Sequence, residues 1–152
     1  MFTSPICFDN ILSMKFSIKV QYGLQAMLEL ALNYGGGPVQ IKTIAKDQKI
    51  PIRFLEQLIL TLRKAGLVSS SRGKYGGHSL GKRPSEISVL SVIEALEGPI
   101  ELASRKMKAK STVLFEAFDK IQKNINKQLS LLTLEEIALK KRQEDLSINY
   151  QI

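Results

Sequence analysis

The stretch PIRFLEQLILTLRKAGLVSSSRGKYGGHSL, residues 51–80, holds two different structural patterns divided by one glycine. Before Gly66, the residues Leu55, Leu58, Ile59 and Leu62 recur at i, i+3, i+4 and i+7, the spacing of one buried helix face. Pro51 suits the first turn of that helix, where its missing N–H is not needed. Gly66 suits the left-handed position that ends a helix near Lys64. Beyond it, residues 67–71 read as a strand and residues 78–80 as its shorter partner. Gly73, Gly76 and Gly77 between them allow the positive φ values of a hairpin tip. Just upstream, Ile41, Ile44 and Ala45 share one face of a short helix over 41–48, broken at Lys49 and Ile50. Two helices joined by three or four residues form a helix-turn-helix. A hairpin directly behind them makes the pattern a winged helix, which is more specific than either part alone.

Working outward, Ser17 caps a first helix on which Ile18, Leu24, Met27, Leu28, Ala31 and Leu32 follow helical spacing, up to Gly35-Gly36-Gly37-Pro38. Gly23 inside it costs about 1 kcal/mol relative to alanine, so close helix packing is expected there. Residues 1–13 read as an extension outside the fold, and residues 14–98 as the winged head. A helix over 87–96 ends at Gly98-Pro99. Residues 99–110 are polar and basic without a strong period and read as a loop. A long helix then spans about 111–132, and Leu114, Phe118, Ile121 and Ile125 step by four, three and four along it. Such a seam suits a partner helix. Thr133-Leu134-Glu135-Glu136 is a capping box that starts a short last helix to about Arg142. Residues 111–142 are therefore expected to form the dimerisation helices of a homodimer, and 143–152 a frayed tail. The expected fold class is mainly α with one small β-hairpin.

Charge is divided unevenly. Residues 1–85 carry 12 Lys/Arg against 4 Asp/Glu, whereas residues 86–152 carry 10 of each. An excess confined to the half with the helix-turn-helix points to a polyanion, and double-stranded DNA is the expected partner. The 44% hydrophobic content argues against wholesale disorder. No run approaches the roughly 18 apolar residues of a membrane helix, and the first residues make a poor secretory signal. A single cysteine, Cys7, permits no disulfide within one chain, and a reducing cytoplasm is expected.

Opposite the core side of the second helix of the motif stand Arg53, Glu56, Gln57, Leu60, Thr61 and Lys64. Arg and Gln carry forked groups that match guanine and adenine edges in the major groove, so Arg53 and Gln57 are the candidate base readers. Glu56 can accept from a cytosine amino group or deter wrong sequences. Lys42, Thr43 and Lys46 lie where the preceding helix crosses the phosphate backbone. On the hairpin tip, Arg72 suits the minor groove, and Lys74 and Tyr75 suit phosphate or sugar.

Several of these segments resemble the Rrf-two family of bacterial transcription regulators. MKFSIKVQYGLQAMLELA looks like the family's first helix. FLEQL, LRKAGLV and RGKYGG look like its helix-turn-helix and wing, and IEALEGPIEL and LTLEEIA are similar to later signatures. The resemblance covers about residues 14–139. It implies a winged-helix homodimer on a pseudo-palindromic operator, crossed at its long helices, and it supports Glu56, Gln57, Arg72 and Tyr75 as DNA-facing. Family members that sense iron or nitric oxide through an iron–sulfur cluster carry three cysteines between the fourth helix and the long one. Here GPIELASRKMKAKS has none, which excludes thiolate ligation at that place. The only soft ligands are Cys7 and His78, and a cluster held through either ranks below a small-molecule or protein effector.

The same sequence bears on two other functional classes. A winged helix can instead dock an acidic protein partner through the same basic face. Catalysis finds little support: one histidine allows no broader Ser/His/Asp choice, no phosphate-cradling glycine motif occurs, and Glu135 and Glu136 point about 100° apart on a helix.

Overall fold

Hydroxyl side chains start five of the helices. In the computed structural model, which describes residues 15–151, Ser17, Ser88, Ser104, Ser111 and Thr133 each accept a hydrogen bond from the backbone N–H three residues on. Each such cap stabilises its helix by about 1 kcal/mol. The helices are α1 (Ile18–Leu32), α2 (Ile41–Asp47), α3 (Ile52–Lys64), α4 (Val89–Glu97), α5 (Arg105–Lys110), α6 (Thr112–Leu131) and α7 (Leu134–Tyr150). Between α3 and α4 lie the strands β1 (Val68–Ser71) and β2 (Gly77–Leu80), followed by a 3-10 turn at Pro84–Glu86.

The apolar face of α3 does what its spacing requires. Leu55, Leu58, Ile59 and Leu62 are all buried, with Met27 and Leu30 of α1, Ile44 of α2 and Val92, Ile93 and Leu96 of α4. Burying a side chain of this size contributes about 1.5–3 kcal/mol, so this shared core is the main source of the head's stability. Gly23 marks the closest approach of α1 to α4: a Cβ placed there would run into the Leu96 side chain. That is the packing its position in the sequence predicts. Ile18, in contrast, follows the helical spacing but remains exposed.

The hairpin is antiparallel, with Val68 opposite Leu80 and Ser71 opposite Gly77. It is anchored at its base by Val68 and Leu80, which are buried. Across its outer edge, Val39 pairs with His78 as an isolated bridge. Gly66 takes φ 75° just past α3, as the sequence predicts for a helix end, and Gly73 takes φ 106° in the hairpin loop.

Three features depart from the sequence reading. The loop expected over 99–110 contains α5, capped by Ser104, which buries none of its residues and so leaves no apolar period to detect. The tail expected over 143–152 is helical as far as Tyr150, because α7 continues well past Arg142. Its surface carries Lys140–Glu136 and Lys141–Asp145 ion pairs at i, i+4, which support an exposed helix. Finally, α7 is not simply part of a dimerisation arm. Leu134 and Ala138 are buried with the head, and α7 packs against α1.

The junction of α6 and α7 is strapped to the head by backbone. Val89 N–H donates to the Leu132 carbonyl and Leu134 N–H donates to the Ile87 carbonyl, each at 2.9 Å. α6 itself buries no residue in this single chain.

Candidate nucleic-acid interface

The core face of α3 fixes what its other face shows to solvent. Arg53, Glu56, Gln57, Leu60 and Lys64 are exposed, and Thr61 is half-buried, its hydroxyl donating to the Gln57 carbonyl at 3.0 Å. On α2, burial of Ile44 and Ala45 turns Lys42, Thr43 and Lys46 outward. On the hairpin loop, Arg72, Lys74 and Tyr75 are exposed, and Tyr75 is 84% accessible. The Lys74 ammonium sits 5.6 Å from the centre of the Tyr75 ring, within cation–π range, so the two side chains are presented together.

A groove of about 320 Å³ joins these elements, lined by Ile41 of α2, Glu56, Gln57, Ile59, Leu60 and Arg63 of α3, and His78 of β2. Glu56 and Gln57 therefore share one concave surface with the wing. Arg63 and His78 complete it, and neither was singled out for this surface from the sequence. The available signal was positional: Arg63 lies seven residues after Glu56, two turns along the same helix face.

His78 is half-buried, and its Nδ1 lies 2.9 Å from the Ser70 hydroxyl across the hairpin. Burial lowers its pKa from the ordinary 6.5, and the nearby positive charge of Arg63 lowers it further. A neutral imidazole is thus favoured in the groove near neutral pH. Among the described residues the ion pairs lie within α6 and α7. Among the described residues the lysines and arginines of α2, α3 and the wing have no carboxylate partner, which suits phosphate contacts.

Comparison with known proteins points the same way. The family model described as "Rrf2: Iron-dependent Transcriptional regulator" matches residues 16–140. The HTH-type transcriptional regulator CymR of Bacillus subtilis is 41% identical over 128 residues, covering 82% of this chain and 90% of CymR. The solved structure of CymR, the global cysteine regulator of B. subtilis, superposes with a TM-score of 0.71 and 38% identity, over 84% of this chain and 98% of that one. The structure of IscR from T. potens gives 0.73 and 40%, over 88% and 91%. These relatives are transcription regulators rather than enzymes, and among the described residues no helix is long and apolar enough to cross a membrane.

The family description mentions iron, and this chain's own donors bear on it. The segment between α4 and α6 offers no cysteine or histidine, and it holds the basic helix α5 instead. Among the described residues no three His, Cys, Asp or Glu side chains gather into a metal-binding group. Cys7 lies outside the described residues. Thiolate ligation between α4 and α6 therefore does not fit this sequence. With a helix-turn-helix, a wing and the long α6 inside the matched residues 16–140, the chain belongs to the Rrf2 family of DNA-binding transcriptional regulators.

Proposed function

We propose that the regulator works in the cytoplasm as a homodimer joined through α6, reading a pseudo-palindromic operator without a three-cysteine cluster. α3 enters the major groove, where Arg53 and Gln57 read base edges and Glu56 and Thr61 screen their neighbours. Lys42, Thr43 and Lys46 hold phosphates and set the register. The wing lies along the adjacent minor groove, with Arg72 inserted and Lys74 and Tyr75 on the backbone.

The observation that carries this reading is the groove shared by α3 and β2, which puts Glu56, Gln57, Arg63 and His78 on one surface. The homodimer rests on a second observation. Leu114, Phe118, Ile121 and Ile125 are 53%, 40%, 50% and 36% exposed along one seam of a 20-residue helix. A helix that leaves such a stripe uncovered is stabilised by a partner helix. With no thiolate set between α4 and α6, the signal falls to a small-molecule or protein effector rather than to iron.

Sequencing of genomic fragments retained by the purified protein tests the reading. Enrichment of one sequence with two half-sites about one helical turn, roughly 34 Å, apart is expected. Affinity for it should fall by orders of magnitude between about 50 and 200 mM salt. Retention without any preferred sequence, even at low salt, would refute it.

A further inference from the structure

A second cavity lies away from α3, where the end of α1, the Pro84–Glu86 turn and α7 meet. Its volume is about 340 Å³, within the range of small-ligand sites. The floor is apolar: Ala31 and Ala138 are 2% and 3% exposed and Pro84 is buried. The rim is charged. Arg83 reaches it from the segment that leaves the wing, and Arg142 reaches it from α7. Among the described residues neither guanidinium forms an ion pair, although Glu135 lines the same cavity. One Arg142 nitrogen donates to the Leu32 carbonyl at 2.8 Å, beside the cavity, and a guanidinium has further donors to offer.

Two guanidinium groups and one carboxylate, Glu135, line a concavity with an apolar floor, so its rim keeps a net positive charge that favours an anion. The shape also limits the anion. A fork such as Arg suits a planar carboxylate, and the floor suits a short carbon chain. We infer that this cavity is the effector site of the regulator and binds a small organic carboxylate between Arg83 and Arg142. The inference rests on the regulatory reading above and names the chemistry of its signal. The position explains how binding is communicated. Arg83 follows β2 by three residues, and Arg142 sits on the helix that continues from α6. A ligand held by both ties the root of the wing to the helical arm, so its affinity and that of DNA are coupled.

The test uses the full chain and four probes in calorimetric titration: butyrate, succinate, glutamate and inorganic phosphate. At least one carboxylate is expected to bind once per chain with a Kd below about 1 mM. Arg83→Gln and Arg142→Gln should each weaken it at least about tenfold, with unchanged circular dichroism. Binding of phosphate alone, of no probe, or by either variant as tightly as by the wild type overturns the site. In a second arm, the saturating carboxylate should change wild-type affinity for DNA by about fivefold or more and leave the Arg142→Gln variant unmoved. An unchanged wild-type affinity overturns the coupling. Because the first arm contains no DNA, loss of the site and loss of the operator reading give separate results.

Discussion

Val39 and His78 exchange both of their backbone hydrogen bonds, Val39 N–H to the His78 carbonyl and His78 N–H to the Val39 carbonyl, each at 2.8 Å. The connection after α1 is thereby paired with the outer strand of the wing. The hairpin is thus held from two sides: by its buried base at Val68 and Leu80, and by this bridge halfway along β2. Arg72, Lys74 and Tyr75 are carried on a finger whose root is fixed while its tip stays free.

Gly77 is the residue that lets this bridge close. A Cβ at that position would stand 2.6 Å from the Val39 carbonyl oxygen, closer than side-chain atoms approach backbone. Gly77→Ala is expected to push the Val39 segment away from β2 and cost about 1–3 kcal/mol, read by urea denaturation. A variant as stable as the wild type would mean that the bridge is not needed to hold the hairpin.

His78 gives the same region a pH dependence. Burial and Arg63 hold its folded pKa below 6.5, the value of a free imidazole. As pH falls below about 6.5, the unfolded chain takes up a proton that the folded chain resists, so stability falls with acidification and is full above that value. His78→Gln should flatten the stability profile between about pH 7.5 and 5.5 relative to wild type. Parallel profiles would show that the imidazole contributes nothing to it.

Arg53 and Arg72 are expected to fail differently. Arg53→Ala should relax preference at one operator position, at a cost of about 1–3 kcal/mol, measured on a panel of single-base variants. Arg72→Ala should lower affinity more evenly, or chiefly where A·T pairs flank the site. The same loss for both variants on every sequence would remove the division of labour between helix and wing.

The exposed seam of α6 makes the assembly testable. Placing glutamate at both Phe118 and Ile121 should yield a monomer in sedimentation and weaken operator binding about a hundredfold or more, because one half-site no longer tethers the other. A dimer of unchanged mass would rule out the α6 interface.

Much of this was legible because the deciding residues act locally. Leu55, Leu58, Ile59 and Leu62 announce a helix by spacing, and Ser17 and Thr133 announce helix starts by chemistry. What stayed hidden depends on tertiary contact. α5 buries nothing, so its residues Arg105–Lys110 carry no period to read. α7 beyond Arg142 scatters Leu146 and Ile148 over an exposed surface, which looks like a frayed end until its ion pairs are seen in place. Arg63 and His78 are far apart in the sequence, and only the docking of the wing against α3 brings them to one groove.

The strap formed by Val89 with Leu132 and by Leu134 with Ile87 has a mechanical result. It fastens the elbow between α6 and α7 to the entrance of α4, so the head is set on α6 at a fixed angle. In the proposed homodimer, two such subunits make a calliper with one opening. Each base pair inserted between half-sites turns one of them by roughly 35° about the duplex, and a stiff calliper has no way to follow that change of phase.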